Sequence, residues 1–272
     1  MRVQETTALA DRPLIEYNAG TVAARQGEQL TVSDGSELVS VVLPTYNERE
    51  NIGPLIEGIL THVRPPVEVI VVDDDSPDGT WQAVQTMAGH DSRIRLLHRT
   101  GERGLTTALL AGMRQARGSL VAWMDCDLSM PPEVLPALIE TARRADVAVG
   151  SRYLPGGADV GHSLVGQAFS RTINLAASVF LGGGITDWTS GFLVVRRSVL
   201  ERITLRGDYG EYCIDLLARA RRLGFTVREI PYRCVPRRRG ESKTATNVMG
   251  YFRRGTKYVV TIMHLWLEGL RK

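Results

Sequence analysis

From Leu38 to Val149 the chain alternates short apolar runs with stretches of helical periodicity. The runs are Leu38–Leu43, Val67–Val72, Ile94–Leu97, Leu120–Met124 and Asp146–Val149. The helical patterns between them fall near Glu48–Val63, Gly79–Ala88, Leu105–Ala116 and Pro132–Ala145. Few folds accept such a pattern. Buried strands that follow one another through helical crossovers form a mostly parallel sheet with helices on both faces, so the predicted fold class is α/β. Pro131 and Pro132 suit a helix start, where a missing N–H costs nothing. A strand at Gly191–Arg196, a helix at Tyr212–Leu223 and a strand at Phe225–Ile230 complete the prediction.

Residues 1–36 show no sustained periodicity and end in Ser33-Asp34-Gly35-Ser36, which predicts an N-terminal extension outside the fold. The α/β domain is then expected over 37–235, followed by a basic C-terminal segment, 236–272. At 272 residues the chain has length for one sizeable core. From Arg219 to Lys272 there are fourteen Lys/Arg against three acidic residues, although the net charge of the whole chain is only +3. A basic end on an otherwise acidic chain points to an anionic partner. Cys126, Cys213 and Cys234 are widely spaced and odd in number, which argues against a disulfide framework and for a reduced, cytoplasmic setting. No stretch reaches the roughly 20 apolar residues that span a bilayer. Leu164–Leu181 is interrupted by Gln167, Arg171 and Asn174, and Tyr258–Leu270 is too short.

In open α/β sheets, ligands gather at the carboxyl ends of the strands. Behind the first strand comes Pro44-Thr45-Tyr46-Asn47-Glu48, behind the second Asp73-Asp74-Asp75-Ser76-Pro77-Asp78-Gly79, and behind the fourth Asp125-Cys126-Asp127. Crowded carboxylates repel one another unless a cation is shared between them. Hard oxygen ligands suit Mg²⁺ or Mn²⁺, which leave positions open for diphosphate oxygens. An Asp-x-Asp spacing is common by itself, and Asp78 before Gly79 also reads as a helix cap. The series at successive strand ends gives the pair its weight. There is no G-x-G-x-x-G behind the first strand and no G-x-x-x-x-G-K-[ST], so neither a dinucleotide fold nor a P-loop NTPase is supported. Gly101–Gly104 reads as a plain turn. No nucleic-acid-binding module accompanies the basic end.

These stretches, with Gly150-Ser151-Arg152-Tyr153, resemble the family 2 glycosyltransferases of GT-A fold. Thr189-Ser190-Gly191-Phe192 and Arg239-Gly240-Glu241-Ser242-Lys243 narrow the resemblance to the dolichyl-phosphate (polyprenyl-phosphate) mannose synthases. It implies transfer of mannose from GDP-mannose to a polyprenyl phosphate, with inversion at the sugar carbon. Pro44, Tyr46 and Glu48 would line the nucleotide pocket, with Val72 and Asp74 at its base and Asp74 accepting from guanine N–H groups. Asp125 and Asp127 would hold Mg²⁺ or Mn²⁺ and the diphosphate, with the Cys126 backbone against the ribose. Asp127 and Arg152 are the implied catalytic residues. Arg239 and Lys243 would close over the diphosphate. Ser129, also placed in the nucleotide-sugar site, stands where related synthases often carry Gln.

A phosphate monoester has its second pKa near ~6 and is already an ionised nucleophile at neutral pH. Such an acceptor needs no general base; it needs cations that screen two anions brought together. Arg152, Arg239 and Lys243 are assigned to this, and Arg253, Arg254 and Lys257 to anionic lipid headgroups. Tyr258–Leu270 suits an interfacial helix with Trp266 at the headgroup level; packing on the domain is the equal alternative. The expected location is the cytoplasmic face of a membrane, held peripherally, with a membrane-embedded subunit as a further partner. Asp187 is expected as an acceptor-site wall or loop anchor, and Asp215 as a solvated or capping residue. The competing readings are a uridine-carried glucose or N-acetylglucosamine, a saccharide acceptor, and a catalytically silent binding subunit.

Overall fold

The structure, a computed structural model, describes residues 37–64, 66–237 and 248–270. The chain divides into two units, 1–35 and 36–272, and all described residues belong to the second.

In chain order the strands are β1 (Val39–Thr45), β2 (Val67–Asp73), β3 (Ile94–His98), β4 (Leu120–Trp123), β5 (Val147–Ser151), β6 (Ala158–Asp159), β7 (Leu193–Arg196), β8 (Val227–Pro231) and β9 (Arg233–Cys234). The helices are α1 (Ile52–His62), α2 (Thr80–His90), α3 (Leu105–Gln115), α4 (Leu135–Arg144), α5 (Leu164–Leu181), α6 (Arg197–Arg202), α7 (Glu211–Arg222) and α8 (Val248–Leu270). Seven strands form one sheet in the order β3-β2-β1-β4-β7-β5-β8. Only β7 runs antiparallel, between β4 and β5. The first three strands wind outward from β1, and the chain then returns to set β4 on the other side of β1. That reversal opens a crevice between the loops after β1 and β4. A small parallel pair, β6 with β9, lies outside the main sheet.

Alternate side chains along a strand face opposite ways, and the sheet separates two apolar layers accordingly. Val42, Val72, Val121 and Trp123 face α3, α5, α7 and α8. Val41, Leu43, Val71 and Ala122 face α1 and α4. At the end of the sheet remote from the crevice, the buried Glu68 carboxylate accepts from Ser40 Oγ (2.7 Å), Arg117 N (2.7 Å), Arg117 Nε (2.9 Å) and Arg95 Nη1 (3.0 Å). Burial disfavours its charge, but these donors outweigh that and hold its pKa near about 2.

Both stretches weighed against a membrane span are helices. The stretch 164–181 is one continuous helix of 18 residues. Its polar Asn174 is buried within the domain, accepting from Trp188 N at 2.6 Å and donating to Ser170 O at 2.9 Å. Helix α8 begins at Val248, ten residues before the predicted start. Tyr258, Ile262 and Leu265 enter the core, and Trp266 meets Phe180 of α5 edge-on at 5.8 Å. No helix among the described residues is long and apolar enough to cross a membrane.

Candidate active site

The crevice opens into a cavity of about 620 Å³. Pro44, Tyr46, Glu48, Asp74, Asp125, Cys126, Asp127, Ser129 and Arg152 all line it. Three loops that feed it each carry one non-glycine residue in the left-handed region: Asn47 (φ 55°) after β1, Asp75 (φ 57°) after β2 and Leu128 (φ 64°) after β4. Asn and Asp tolerate this conformation, whereas for Leu128 it is costly and must be held by its surroundings. With Leu128 so turned, Ser129 N donates to Asp127 Oδ1 at 2.9 Å.

The carboxylates after β2 divide the work. Asp73 is fully buried and builds the loop, accepting from Thr45 Oγ1 (2.8 Å), Ser76 N (2.8 Å) and Ser76 Oγ (2.6 Å). Asp78 accepts from Thr80 N (3.0 Å) and Arg49 N (3.0 Å), tying the head of α2 to the β1 loop. Asp74 faces the cavity with its oxygens already engaged. Arg99 donates to Oδ1 through Nε (2.8 Å) and Nη2 (2.5 Å), and Gly104 N donates to Oδ2 at 2.8 Å. The Gly101–Gly104 turn thus positions a site carboxylate. Val72 is different: it does not line the cavity, because the alternation along β2 turns its side chain into the core against α3.

Asp125 and Asp127 leave β4 side by side at the cavity floor. The Asp125 carboxyl opens on the cavity and accepts no hydrogen bond among the described residues. Its pKa is raised to about 6, first by withdrawal from bulk water inside the cleft, then by the charges of Asp127 and Glu48. Asp127 is countered by Arg237, whose Nη2 donates to Oδ2 at 2.8 Å. A cleft carboxylate with no donor among the described residues, strained by a neighbouring carboxylate, fits a hard divalent cation shared between the two. Cys126 turns the other way, its Sγ donating to Pro44 O at 3.3 Å and so linking the β4 loop to the β1 loop.

On the far wall, Arg152 is buried and fully engaged. Its Nε and Nη2 each reach Asp187 at 2.8 Å, Nη2 also donates to Thr189 Oγ1 (2.9 Å), and Nη1 reaches Asp159 at 3.3 Å. Burial opposes its charge, yet Asp187 more than compensates and keeps the guanidinium cationic. Asp187 itself is completely buried and anchors the loop before β7; it is not a cavity wall. Asp215 is buried too, paired with Arg219 at 3.0 Å rather than solvated. Lys257, assigned to lipid headgroups, pairs with Asp208 at 2.6 Å. Arg239 and Lys243 lie outside the described residues, whereas Arg237, two positions upstream, reaches the acidic pair. Sequence reasoning also missed Arg99, Arg103 and His162. Arg103 sits over the Tyr46 ring at 4.8 Å. His162 donates from Nδ1 to Asp159 (2.8 Å), and its pKa is raised to about 10, by Asp159 first and Cys234 next.

Residues 40–204 match the family model described as glycosyl transferase family 2. A polyprenol monophosphomannose synthase of Mycolicibacterium smegmatis is 42% identical over 225 residues, covering 80% of this chain and 84% of that protein. An undecaprenyl-phosphate mannosyltransferase of Micrococcus luteus is 39% identical over 219 residues, covering 78% and 89%. A dolichol-phosphate mannosyltransferase of Pyrococcus furiosus is 36% identical over 75% of this chain, which spans 58% of that longer protein. Among solved structures, glucosyl-3-phosphoglycerate synthase of Mycobacterium tuberculosis in complex with UDP superposes with a TM-score of 0.63 at 21% identity, covering 85% of this chain and 80% of that one. The same enzyme with Mn²⁺, UDP and phosphoglyceric acid gives 0.64 at 20% identity, covering 85% and 78%. At that identity the likeness speaks for the GT-A fold.

Proposed function

This chain belongs to glycosyl transferase family 2, and on that premise we propose that it moves mannose from GDP-mannose to a polyprenyl phosphate, inverting the sugar carbon. The observation that carries the reading is the composition of one cavity. An acidic pair forms its floor, Arg237 stands beside that floor and Arg152 on the far wall, and Phe169, Ile173 and Tyr258 form an apolar wall. Donor diphosphate, acceptor phosphate and the first carbons of a lipid each find chemistry suited to them. The 36–42% identical relatives named for polyprenol, undecaprenyl-phosphate and dolichol-phosphate mannosyl transfer support the same acceptor class.

Tyr46, Glu48 and Asp74 would hold the nucleoside end, with Arg103 over the Tyr46 ring. Asp125 and Asp127 would hold Mg²⁺ or Mn²⁺, which when bound supplies charge neutralisation to the departing diphosphate. Arg237 is already at Asp127 and can turn its guanidinium to the diphosphate, the role that the sequence assigned to Arg239 and Lys243. The acceptor phosphate arrives ionised, so no side chain has to remove a proton. Arg152 can offer it Nη1 by giving up Asp159, the longest of its carboxylate contacts at 3.3 Å, while Asp187 keeps the group oriented. Helices α5 and α8 expose Leu175, Val179, Val260 and Leu267, a surface suited to peripheral contact with the lipid-bearing membrane, where a membrane-embedded subunit could also join.

Incubation with labelled GDP-mannose, Mn²⁺ and polyprenyl phosphate is expected to give a lipid-linked mannose product, and Asp127→Ala to abolish it while the fold persists. Full transfer by that variant in EDTA overturns the assignment. One observation favours a second reading, a uridine-carried sugar: Arg99 takes Asp74 Oδ1 twice and Gly104 N takes Oδ2 once, which leaves an acceptor for the single ring N–H of uracil rather than for the N–H pair of guanine. Thermal-shift titrations with GDP and UDP discriminate, since the ligand bound by the native state raises the midpoint.

A further inference from the structure

A second cluster of ligand-type side chains, made of other residues than the acidic pair, lines the same cavity, near enough for the His162 charge to act on Asp125. Strands β6 and β9 pair in parallel with Asp159 opposite Cys234, which brings both residues to one position across the ladder. Next in the chain, Gly161 lies so close to the β9 end that a Cβ there would meet Val235 O at 2.5 Å and Cys234 Sγ at 3.2 Å. Only glycine allows this approach, and it brings His162 over the pair. One ligand atom from each of Asp159, His162 and Cys234 lies within 4.8 Å of the others. Asp159 and Cys234 are buried, while the His162 side chain is 44% exposed on the turn leading to α5.

We infer that Asp159, His162 and Cys234 form a binding site for a divalent transition-metal ion of the zinc class. The ligand set decides the class. A thiolate and an imidazole select a borderline ion, and hard Mg²⁺ has no preference for sulfur. Tetrahedral zinc with bonds of about 2.0–2.3 Å sets its ligand atoms roughly 3.3–3.8 Å apart. The cluster therefore has to contract by about 1.5 Å at most, and the exposed His162 ring on its turn can supply that movement. Gly161, His162 and Cys234 also line the cavity, so the fourth position opens towards it. Asp159 now accepts from His162 Nδ1 (2.8 Å), His162 N (3.3 Å) and Arg152 Nη1 (3.3 Å). An ion would compete with the last of these and so bear on the cationic wall, without belonging to the Asp125–Asp127 pair.

The test is a Co²⁺ titration of the full-length chain followed by absorption, which needs no turnover. Thiolate ligation is expected as one equivalent of near-ultraviolet sulfur-to-cobalt charge transfer, bleached when Zn²⁺ is added. Cys234→Ser removes the band, and His162→Gln, at the exposed ligand, lowers Co²⁺ affinity by at least about tenfold. Asp127→Asn leaves the band intact. Absence of the band in the wild type, its survival in Cys234→Ser, unchanged affinity in His162→Gln, or its loss in Asp127→Asn would each overturn the assignment. In the first case the three residues are only a hydrogen-bonded clasp between β6 and the turn.

Discussion

The acidic residues of the cleft do unequal jobs, and the difference is electrostatic. Asp73 and Asp78 accept several donors and shape loops; Asp125 has none among the described residues, and its pKa rises to about 6 from an ordinary 3.8. In the metal-free protein the ionised Asp125 is penalised in the native state only, so the contribution of this group to stability is lowest above pH 6 and recovers as the pH falls towards 3.8. Asp125→Asn is therefore expected to raise the unfolding midpoint in EDTA at pH 8, with the gain disappearing below pH 4, while transfer is lost. Thermal melts of both proteins across that range check it. A midpoint lowered at pH 8 would contradict the electrostatic account. These carboxylates were legible because each directly follows an apolar run. Their partners were not: Arg237 lies 110 residues beyond Asp127, and Arg152 finds Asp187 35 residues on. Pairings of that kind appear only after the chain has folded.

At the level of elements, β1 to β5 and the helices between them follow from apolar periodicity, and the structure moves their ends by a few residues. What periodicity could not supply was α5, whose polar positions look like interruptions until Asn174 is seen bonded to the Trp188 loop. Nor could it supply β6 and β9, two residues each, too short to carry a pattern. Close packing of α3 on the sheet gives a prediction at this scale. A Cβ at Gly112 would collide with Val42 Cγ1 and approach Val72 Cγ2 within 2.9 Å, both in the core. Gly112→Val is expected to cost about 1–3 kcal/mol through overpacking, measured as a lowered denaturant midpoint. Because α3 also carries the Gly104–Leu105 edge of the cavity, weaker nucleotide binding should accompany the loss.

For the molecule as a whole, the sheet has a functional end and a fastening end. At the latter, Glu68 joins β1, β2, β3 and the turn before β4. Its pKa is held at about 2 against an ordinary 4.5, so its contribution is complete above pH 4.5 and fades as the pH falls towards 2. Glu68→Gln is expected to lose about 2 kcal/mol at pH 7, in the range for a hydrogen-bonded buried charge. Urea unfolding at several pH values should show the two proteins converging below pH 4.5. An offset unchanged at pH 2.5 would mean that packing, not charge, explains the loss. Glu68 sits inside a run that reads as apolar, and nothing local marks it as a keystone.

The origin of the cleft's two ends in the chain carries one more consequence. Tyr46, Glu48, Asp74, Asp125 and Asp127 of the proposed nucleotide end all come from 44–127, with only Arg237 added from later in the chain, whereas the opposite wall is not complete until Tyr258 of α8 has packed against α5 and α7. Synthesis runs from the N-terminus. A nascent chain can therefore assemble the donor half of its cleft while the acceptor half is still being translated. The enzyme gains the means to bind before it gains the means to transfer.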